Sequence, residues 1–495
     1  MVIRTTGPGA PREGSARLGA SPSRRHFLAI GASTLFLAAC ATDPKPSHPV
    51  TTKPRVYTID SLLSTNPFFI AHRGSGDNWV EHSLDAYSNS IAMGSKAIEV
   101  SVNATADGKF VCHHDTSAKR LTGQDVQIAD VSYATLSAMQ NDARSWLGPA
   151  AKPQPIPLLT DVLKRFAETH VIFLEDKQGT NTRALLDVMA GYRDSRKHFV
   201  WKQWAGAAQY AFVQTAGYTT WGYFTPDQFD RAEELASRFD LLGVYTTATD
   251  EQVQKVVGFG KPVIAWEIHY RSMRERMSRL GVAGMMCSNL PYVTSKTAIA
   301  NSDAFGTGLR AAGDLPWTTD QGDSPQPTIE PKGELVRLDY PDIQSYLLGS
   351  MSPVPAKRDT LGFELRWPES LPADTDHAGL AFGMADDRAY RVRIASDVSG
   401  YHIVVRANGI VELFARTAGN DTGVSLGSVR TDPPEPGSWV RVQVQINADT
   451  VGVYRLDGDG WGFDAAVAGV TGGYLWLCKN YAKGPAVEFR KIVST

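Results

Sequence analysis

Polar residues suited to an anionic substrate interrupt apolar runs at four places in this 495-residue chain. His72-Arg73-Gly74 closes the run FFIA, and Glu99 and Ser101 lie inside KAIEVSV. His113-His114-Asp115 follows shortly after, and VIFLEDK ends in Glu175-Asp176-Lys177. On a strand, side chains alternate, so Ile98, Val100 and Val102 share one face and Glu99 and Ser101 the other. Val171, Phe173, Glu175 and Lys177 likewise share a face. An unpaired carboxylate on an inward face is costly, so Glu99 and Glu175 need a cation, whether Lys177, Arg73 or a bound metal. Two carboxylates with an open position suit a hard divalent ion such as Mg2+ or Ca2+, which leaves room for phosphate oxygens.

Eight short apolar runs carry or flank these residues: FFIAHRG, KAIEVSV, VIFLEDK, HFVWKQW, TTWGYF, LLGVYTT, PVIAWEIH and VAGMMCSN. Helical stretches such as SLDAYSNSIAMG, TDVLKRFAETH, PDQFDRAEELASRF and RSMRERMSRLG fall between them. This alternation predicts parallel strands with helical crossovers, an α/β fold. Eight units in roughly 250 residues fit a (β/α)8 TIM barrel over residues 66–302, whose chemistry sits on the loops after the strands. An insertion of roughly 55 residues separates the second run from the third, longer than a crossover needs. A Pro/Gly/Asp-rich connector over 303–330 marks a boundary. Beyond it LGFELRW, YRVRIAS, GYHIVVRAN, GIVELFART, SWVRVQVQIN, TVGVYRLDG, GGYLWLCKN and AVEFRKIV predict an antiparallel β-sandwich over 331–495.

The first forty residues are read as a targeting segment. Arg24-Arg25 precedes an apolar run ending in Leu37-Ala38-Ala39-Cys40, the order of a twin-arginine export signal with a lipobox. Cys40 is expected to carry the lipid. It would hold the protein outside the cytoplasmic membrane, in the cell envelope, on a Pro-rich tether over 41–65. The apolar run is too short to span a bilayer. Fifty Lys and Arg against fifty-two Asp and Glu leave no basic excess for a nucleic-acid partner. Cys112, Cys287 and Cys478 sit in apolar stretches and read as small buried hydrophobes.

The ordered set His72-Arg73-Gly74, Glu81-His82-Ser83, Glu99-Val100-Ser101, Asp107-Gly108 leading to His114-Asp115, and Glu175-Asp176-Lys177 resembles the glycerophosphodiester phosphodiesterase family over about residues 66–300. That family has Glu-Asn-Thr after its His-Arg-Gly, Glu-x-Asp on the second strand and Glu-x-Lys on a later one. The resemblance implies that His72 and His114 are the acid/base pair. It makes Glu99 and Glu175, with Ser101, the ligands of a divalent cation, and Arg73 and Lys177 the phosphate partners. Chemistry on its own terms agrees. Cleaving a phosphodiester needs a base for the incoming oxygen and an acid for the leaving alkoxide, and two imidazoles supply both near neutral pH. Ser101 stands where the family has Asp and offers the ion no charge.

Several residues have a second reading. Glu81 either complements the dipole of a helix opening at Ser83 or supports Arg73. Asp115 is placed beside His114, and Trp266 lines the substrate cleft or packs in the core. His170, His198 and His269 read as structural. Trp439, Trp461 and Trp476 form a sugar platform or ordinary core. The sandwich resembles concanavalin-like or laminin-G-like modules in strand pattern only, which implies carbohydrate contact. The expected function is metal-assisted hydrolysis of glycerophosphodiesters or envelope glycerol-phosphate polymers. The alternatives are a catalytically impaired binding or scaffold lipoprotein, and a glycoside hydrolase using Glu175 and Glu267.

Overall fold

Strand alternation builds the expected barrel. In a computed structural model that describes residues 55–315, 327–339, 344–355, 359–470 and 472–495, eight parallel strands close on themselves. These are β1 (Phe68–Ala71), β2 (Ala97–Ala104), β3 (Val171–Asp176), β4 (Phe199–Trp204), β5 (Thr219–Tyr223), β6 (Leu241–Tyr245), β7 (Val263–Ile268) and β8 (Gly284–Cys287). Each pairs with the next, β8 runs along β1 from Phe68↔Gly284 to Ala71↔Cys287, and Ala71↔Ile98 joins β1 to β2. Closure leaves no strand edge to cover. Phe68, Ile70, Phe173, Val200, Trp221 and Ile264 fill the interior, while Ile98, Val100, Ile172, Leu174 and Trp201 pack outward against the helices. Phe173 and Trp221 meet edge to face, with centroids 5.8 Å apart. The lower interior is a packed core, and chemistry is left to the mouth.

The helices follow from caps and period. Ser83 accepts a hydrogen bond from the Ala86 amide and opens the helix Leu84–Ala92. Leu159, Val162, Leu163 and Phe166 bury one stripe of Leu159–Phe166. The PDQFDRAEELASRF stretch splits into a 3-10 turn, Pro226–Arg231, and a short α-helix, Ala232–Ala236. The tether differs from its expectation at its C-terminal end. Ile59–Leu63 is a helix with a Thr58 capping box, and Ile59 and Leu62 close the bottom of the barrel interior. The twin-arginine segment, Cys40 and the rest of the tether before residue 55 lie outside the described residues. Among the described residues no helix is long and apolar enough to cross a membrane.

The long insertion is a lobe with its own small core of Val111, Ala118, Ile128, Leu136 and Ile156. Its first strand, Phe110–Cys112, pairs antiparallel with the end of β2 through Val102↔Cys112. That pairing delivers His113, His114 and Asp115 to the barrel mouth.

The C-terminal region folds as two seven-stranded antiparallel sheets. YRVRIAS departs from expectation and forms no strand. Tyr390 and Val392 are buried by packing against the barrel side, but the backbone turns through Arg393 at φ +64° and finds no strand to pair with. The strand His377–Met384 escapes sequence reading because it is rich in Gly and Ala. A Cβ at Gly379 would lie 1.8 Å from the Ile403 carbonyl oxygen, so the close strand crossing excludes any larger residue. The connector is also partly built into the fold, since Asp314–Leu315 pairs with Gln344–Leu348 and Phe305 enters the sandwich core. One sheet packs on the barrel. Leu347, Ala381, Met384, Trp476 and Cys478 share a cluster with the barrel helices. Asp387 caps the helix Arg271–Arg279 by accepting from the Arg271 and Ser272 amides at 2.7 and 2.9 Å. Trp476 is therefore core, while Trp439 lies between the guanidiniums of Arg366 and Arg490. Cys112, Cys287 and Cys478 are buried.

Candidate active site at the barrel mouth

The backbone after β1 turns sharply. Arg73, Gly74 and Ser75 all have positive φ, at +52°, +79° and +71°. Left-handed backbone at non-glycine residues stores strain of order 1–3 kcal/mol each and clusters where function over-determines it. Gly74 is fixed by space as well, because a Cβ there would sit 2.8 Å from that of Ala86. The turn aims the Arg73 amide at Glu99 Oε2, to which it donates at 2.9 Å, and frees the Arg73 guanidinium to meet Glu81 at 3.3 Å. Glu81 thus supports Arg73.

Glu99 and Glu175 lie on the neighbouring strands β2 and β3 with both side chains inward, as alternation requires, but the cation between them was missed from sequence. Lys202 on β4 places Nζ 2.8 Å from Glu99 Oε1 and 2.9 Å from Glu175 Oε2. The signal was present: Val200 faces inward, so Lys202, two residues on, must do so too. Ser101 Oγ donates to Glu99 Oε1 at 3.0 Å, and Tyr223 Oη donates to Glu175 Oε1 at 2.7 Å. Lys177 lies 3.4 Å from both Glu175 and the His114 Nε2. Burial alone would raise both carboxyls, yet Lys202 and its neighbours hold Glu99 well below the carboxylate range and Glu175 down to about 2. Removing Lys202 would strand Glu99 and leave Glu175 to Lys177 alone, a loss of about 3–5 kcal/mol.

His72 is buried, and its Nδ1 lies 2.8 Å from Ser288 Oγ and 3.6 Å from Glu267 Oε2. A carboxylate and a hydroxyl on that side fix the proton on Nδ1 and leave Nε2 bare. Burial pushes His72 down to about 4, with Glu267 opposing and Arg73 assisting the shift. Behind it stands a relay that sequence reading left as structural. His269 donates to Asp77 at 2.7 Å, reaches Glu267 at 3.5 Å, and is raised to about 10 by those carboxylates against the effect of burial. Arg73 also approaches Glu267 at 3.6 Å.

His114 is built differently. Its Nδ1 donates to Asp115 Oδ1 at 2.7 Å, Arg120 ties Asp115 to Glu81 at 2.7 and 2.6 Å, and Glu81 leads back to Arg73. Burial lowers His114 and the Asp115 hydrogen bond resists, while Arg73, Lys177 and Lys202 add to the lowering. Arg73 and Lys202 also lower His72, so the same cations act on both imidazoles. His113 is turned away, with its Nδ1 donating to the Asp115 carbonyl at 2.9 Å. Trp266 is half-buried and packs with Tyr223 and Tyr245, at centroid distances of 5.1 and 4.8 Å, along one wall of the mouth. Arg120, Lys202, Ser288, Glu267, His269 and Tyr223 are the site residues that motif spacing did not reveal.

The donor set does not fit the divalent ion that the sequence predicts. Lys202 stands between Glu99 and Glu175, Ser101 adds no charge, and among the described residues no group of three or more His, Cys, Asp or Glu is placed to hold a metal. What the arrangement offers is two imidazoles, His72 with Nε2 bare and His114 with Nε2 3.4 Å from Lys177, beside three fixed cations, Arg73, Lys177 and Lys202, which suits an anion undergoing proton transfer.

Residues 72–289 match the Glycerophosphoryl diester phosphodiesterase family. YhdW of Bacillus subtilis is 24% identical over 231 residues, spanning 44% of this chain and 93% of that protein. A glycerophosphodiester phosphodiesterase of the same organism is 32% identical over 126 residues, 24% of this chain and 42% of that one. Among solved structures, a phosphodiesterase of Oleispira antarctica in complex with the product sn-glycerol-3-phosphate aligns with a TM-score of 0.40 and 21% identity. That alignment covers 46% of this chain and 94% of the other.

Proposed function

Because residues 72–289 match the Glycerophosphoryl diester phosphodiesterase family, we propose that this chain hydrolyses glycerophosphodiesters to glycerol phosphate and an alcohol. The observation that carries the reading is that Arg73 joins the two imidazoles through direct contacts: it meets Glu267 beside His72 at 3.6 Å, and Glu81 at 3.3 Å, which Arg120 ties to the Asp115 that holds His114. His72, neutral with a bare Nε2, takes the proton of the incoming hydroxyl as its oxygen bonds to phosphorus; this is water, or a neighbouring glycerol hydroxyl whose cyclic phosphate is then opened by water to glycerol phosphate. The bond from phosphorus to the leaving alcohol breaks, and His114 returns a proton to that oxygen. Asp115 favours the charged imidazole His114 needs for this, and a bound phosphate anion raises its proton affinity further. Arg73 and Lys177 bind the non-bridging oxygens and stabilise charge developing there. The divalent cation that the family implies finds Lys202 in its place, and no step here passes through it.

The export signal and Cys40 support an enzyme tethered outside the cytoplasmic membrane. Its substrates there are deacylated phospholipids or envelope glycerol-phosphate polymers, with the sandwich touching envelope carbohydrate. The exchange of a metal ligand for Ser101 favours a second reading, a barrel that binds its anion without cleaving it. Glycoside hydrolysis is disfavoured because Glu175 is locked to Lys202 and Tyr223. The test is to offer the protein glycerophosphocholine and measure glycerol phosphate. Turnover that is lost in His72→Ala and in His114→Ala supports the first reading, and a folded protein with no turnover supports the second.

A further inference from the structure

We propose that Lys202 is the resident cation of this site: its ammonium takes the place of a divalent ion, so that the centre works on its phosphodiester without metal. The substrate in this inference rests on the function proposed above, whereas the identity of the cation does not.

Every oxygen of the two glutamates is already committed. Glu99 Oε1 accepts from Lys202 and Ser101, and Glu99 Oε2 accepts from the Arg73 amide. Glu175 Oε1 accepts from Tyr223, and Glu175 Oε2 pairs with Lys202 and Lys177. A hard divalent ion takes about six or more oxygens at roughly 2.0–2.6 Å. Here the point between the carboxylates holds a positive charge, and a second cation beside it would be repelled at close range in a medium of low dielectric. Ser101 completes the exchange. A carboxylate at its position would add the negative charge a divalent ion needs, but the hydroxyl adds none and donates to the oxygen that Lys202 holds.

Lys202 is also built to stay. Its side chain is 7% exposed, and Nζ lies 5.9 and 5.8 Å from the ring centroids of Trp221 and Tyr223, which border it on β5. An ammonium has three N–H donors, and two are used on Glu99 and Glu175. The third remains for a phosphate oxygen, on the side where Lys177 lies 3.4 Å from both Glu175 and His114 Nε2. Lys202 therefore counts as a catalytic residue that touches the substrate anion, with a charge that does not depend on ion supply.

The deciding measurement is calorimetric titration of the EDTA-stripped full chain with CaCl2 and with MgCl2, alongside glycerophosphocholine turnover. We expect no stoichiometric ion binding below about 1 mM, and turnover within about twofold of the untreated protein after chelation. Lys202→Met should lose about 100-fold or more in kcat. The Ser101→Asp/Lys202→Ser double variant should bind one ion and become sensitive to chelator. Lys202→Met leaves Glu99 without its ammonium partner and Glu175 with Lys177 alone, so its fold is checked by circular dichroism. The wild-type titration decides the question without any variant. One ion bound tightly by the wild type, with turnover lost on chelation and restored by that ion, overturns the proposal. If the wild type cleaves no diester, the proposed function fails on its own, while absence of ion binding together with binding by the double variant still upholds the role of Lys202.

Discussion

His72 Nδ1 lies 2.8 Å from Ser288 Oγ, joining the residue that follows β1 to the one that follows β8. The bond holds the imidazole with Nε2 toward the mouth. Ser288→Ala should lower kcat by about 10-fold with little change in KM, because it loosens orientation and leaves binding intact. His72→Ala should cost about 10²–10⁴-fold. Steady-state kinetics with glycerophosphocholine check both, and an unchanged kcat in Ser288→Ala would remove the positioning role.

The pH dependence follows from the burial of His72. Its Nε2 stays bare down to about 4 instead of 6.5, so the acid limb of kcat/KM that reports His72 should lie near 4. The sign for stability is the same. As pH falls, the unfolded chain binds this proton near 6.5 and the folded chain only near 4, so stability is lost between those values. His170, held near 4, and His402, held near 3, add to the trend. His269, raised to about 10, contributes in the opposite direction, with stability that is lost as pH rises from 6.5 toward 10. Urea midpoints at pH 5, 6.5 and 9 should therefore be highest near the middle value. A midpoint that rises steadily toward pH 5 would contradict the burial of these rings.

The chain from Arg73 through Glu81 and Arg120 to Asp115 couples the phosphate partner to the second histidine. Glu81→Gln should raise KM by about 10-fold as Arg73 loses its brace. Asp115→Asn should instead lower kcat by about 10–100-fold, since His114 loses the anion that supports its charged form. Kinetics that showed the two variants alike would mean the chain acts only on stability.

At the junction between barrel and sandwich, Asp387 accepts from two amides of the helix Arg271–Arg279 and from the Tyr292 hydroxyl at 2.7 Å. Asp387→Ala leaves buried donors without an acceptor and should cost about 1–3 kcal/mol in urea unfolding. Tyr292→Phe should cost less, and the pair should be non-additive because they share a bond. Activity at saturating substrate should be unchanged in both.

Period-two patterning made β1 to β8 legible, along with the ends that carry His72, Glu99, Glu175 and Lys177, because each strand must sort its own side chains between core and helices. It failed where local pattern and tertiary context diverged. YRVRIAS alternates like a strand but has no partner, and His377–Met384 pairs on both sides although its glycines argue against a strand. It also left the relay of Asp77, His269 and Glu267 unread, since those residues lie in no shared motif and meet only when β7 is brought beside β1 by β8.

The sequence by itself determined the class of this protein: inward carboxylates at strand ends, two histidines in separate segments, and a barrel that must gather them at one mouth. Only the tertiary structure decided which cation those carboxylates receive. Lys202 reaches both because Glu99↔Phe173 and Phe173↔Val200 set the stagger of neighbouring strands, and the burial that follows makes any unpaired charge there too costly to leave. Register across a closed sheet is a property of three strands together, and no single stretch of chain encodes it.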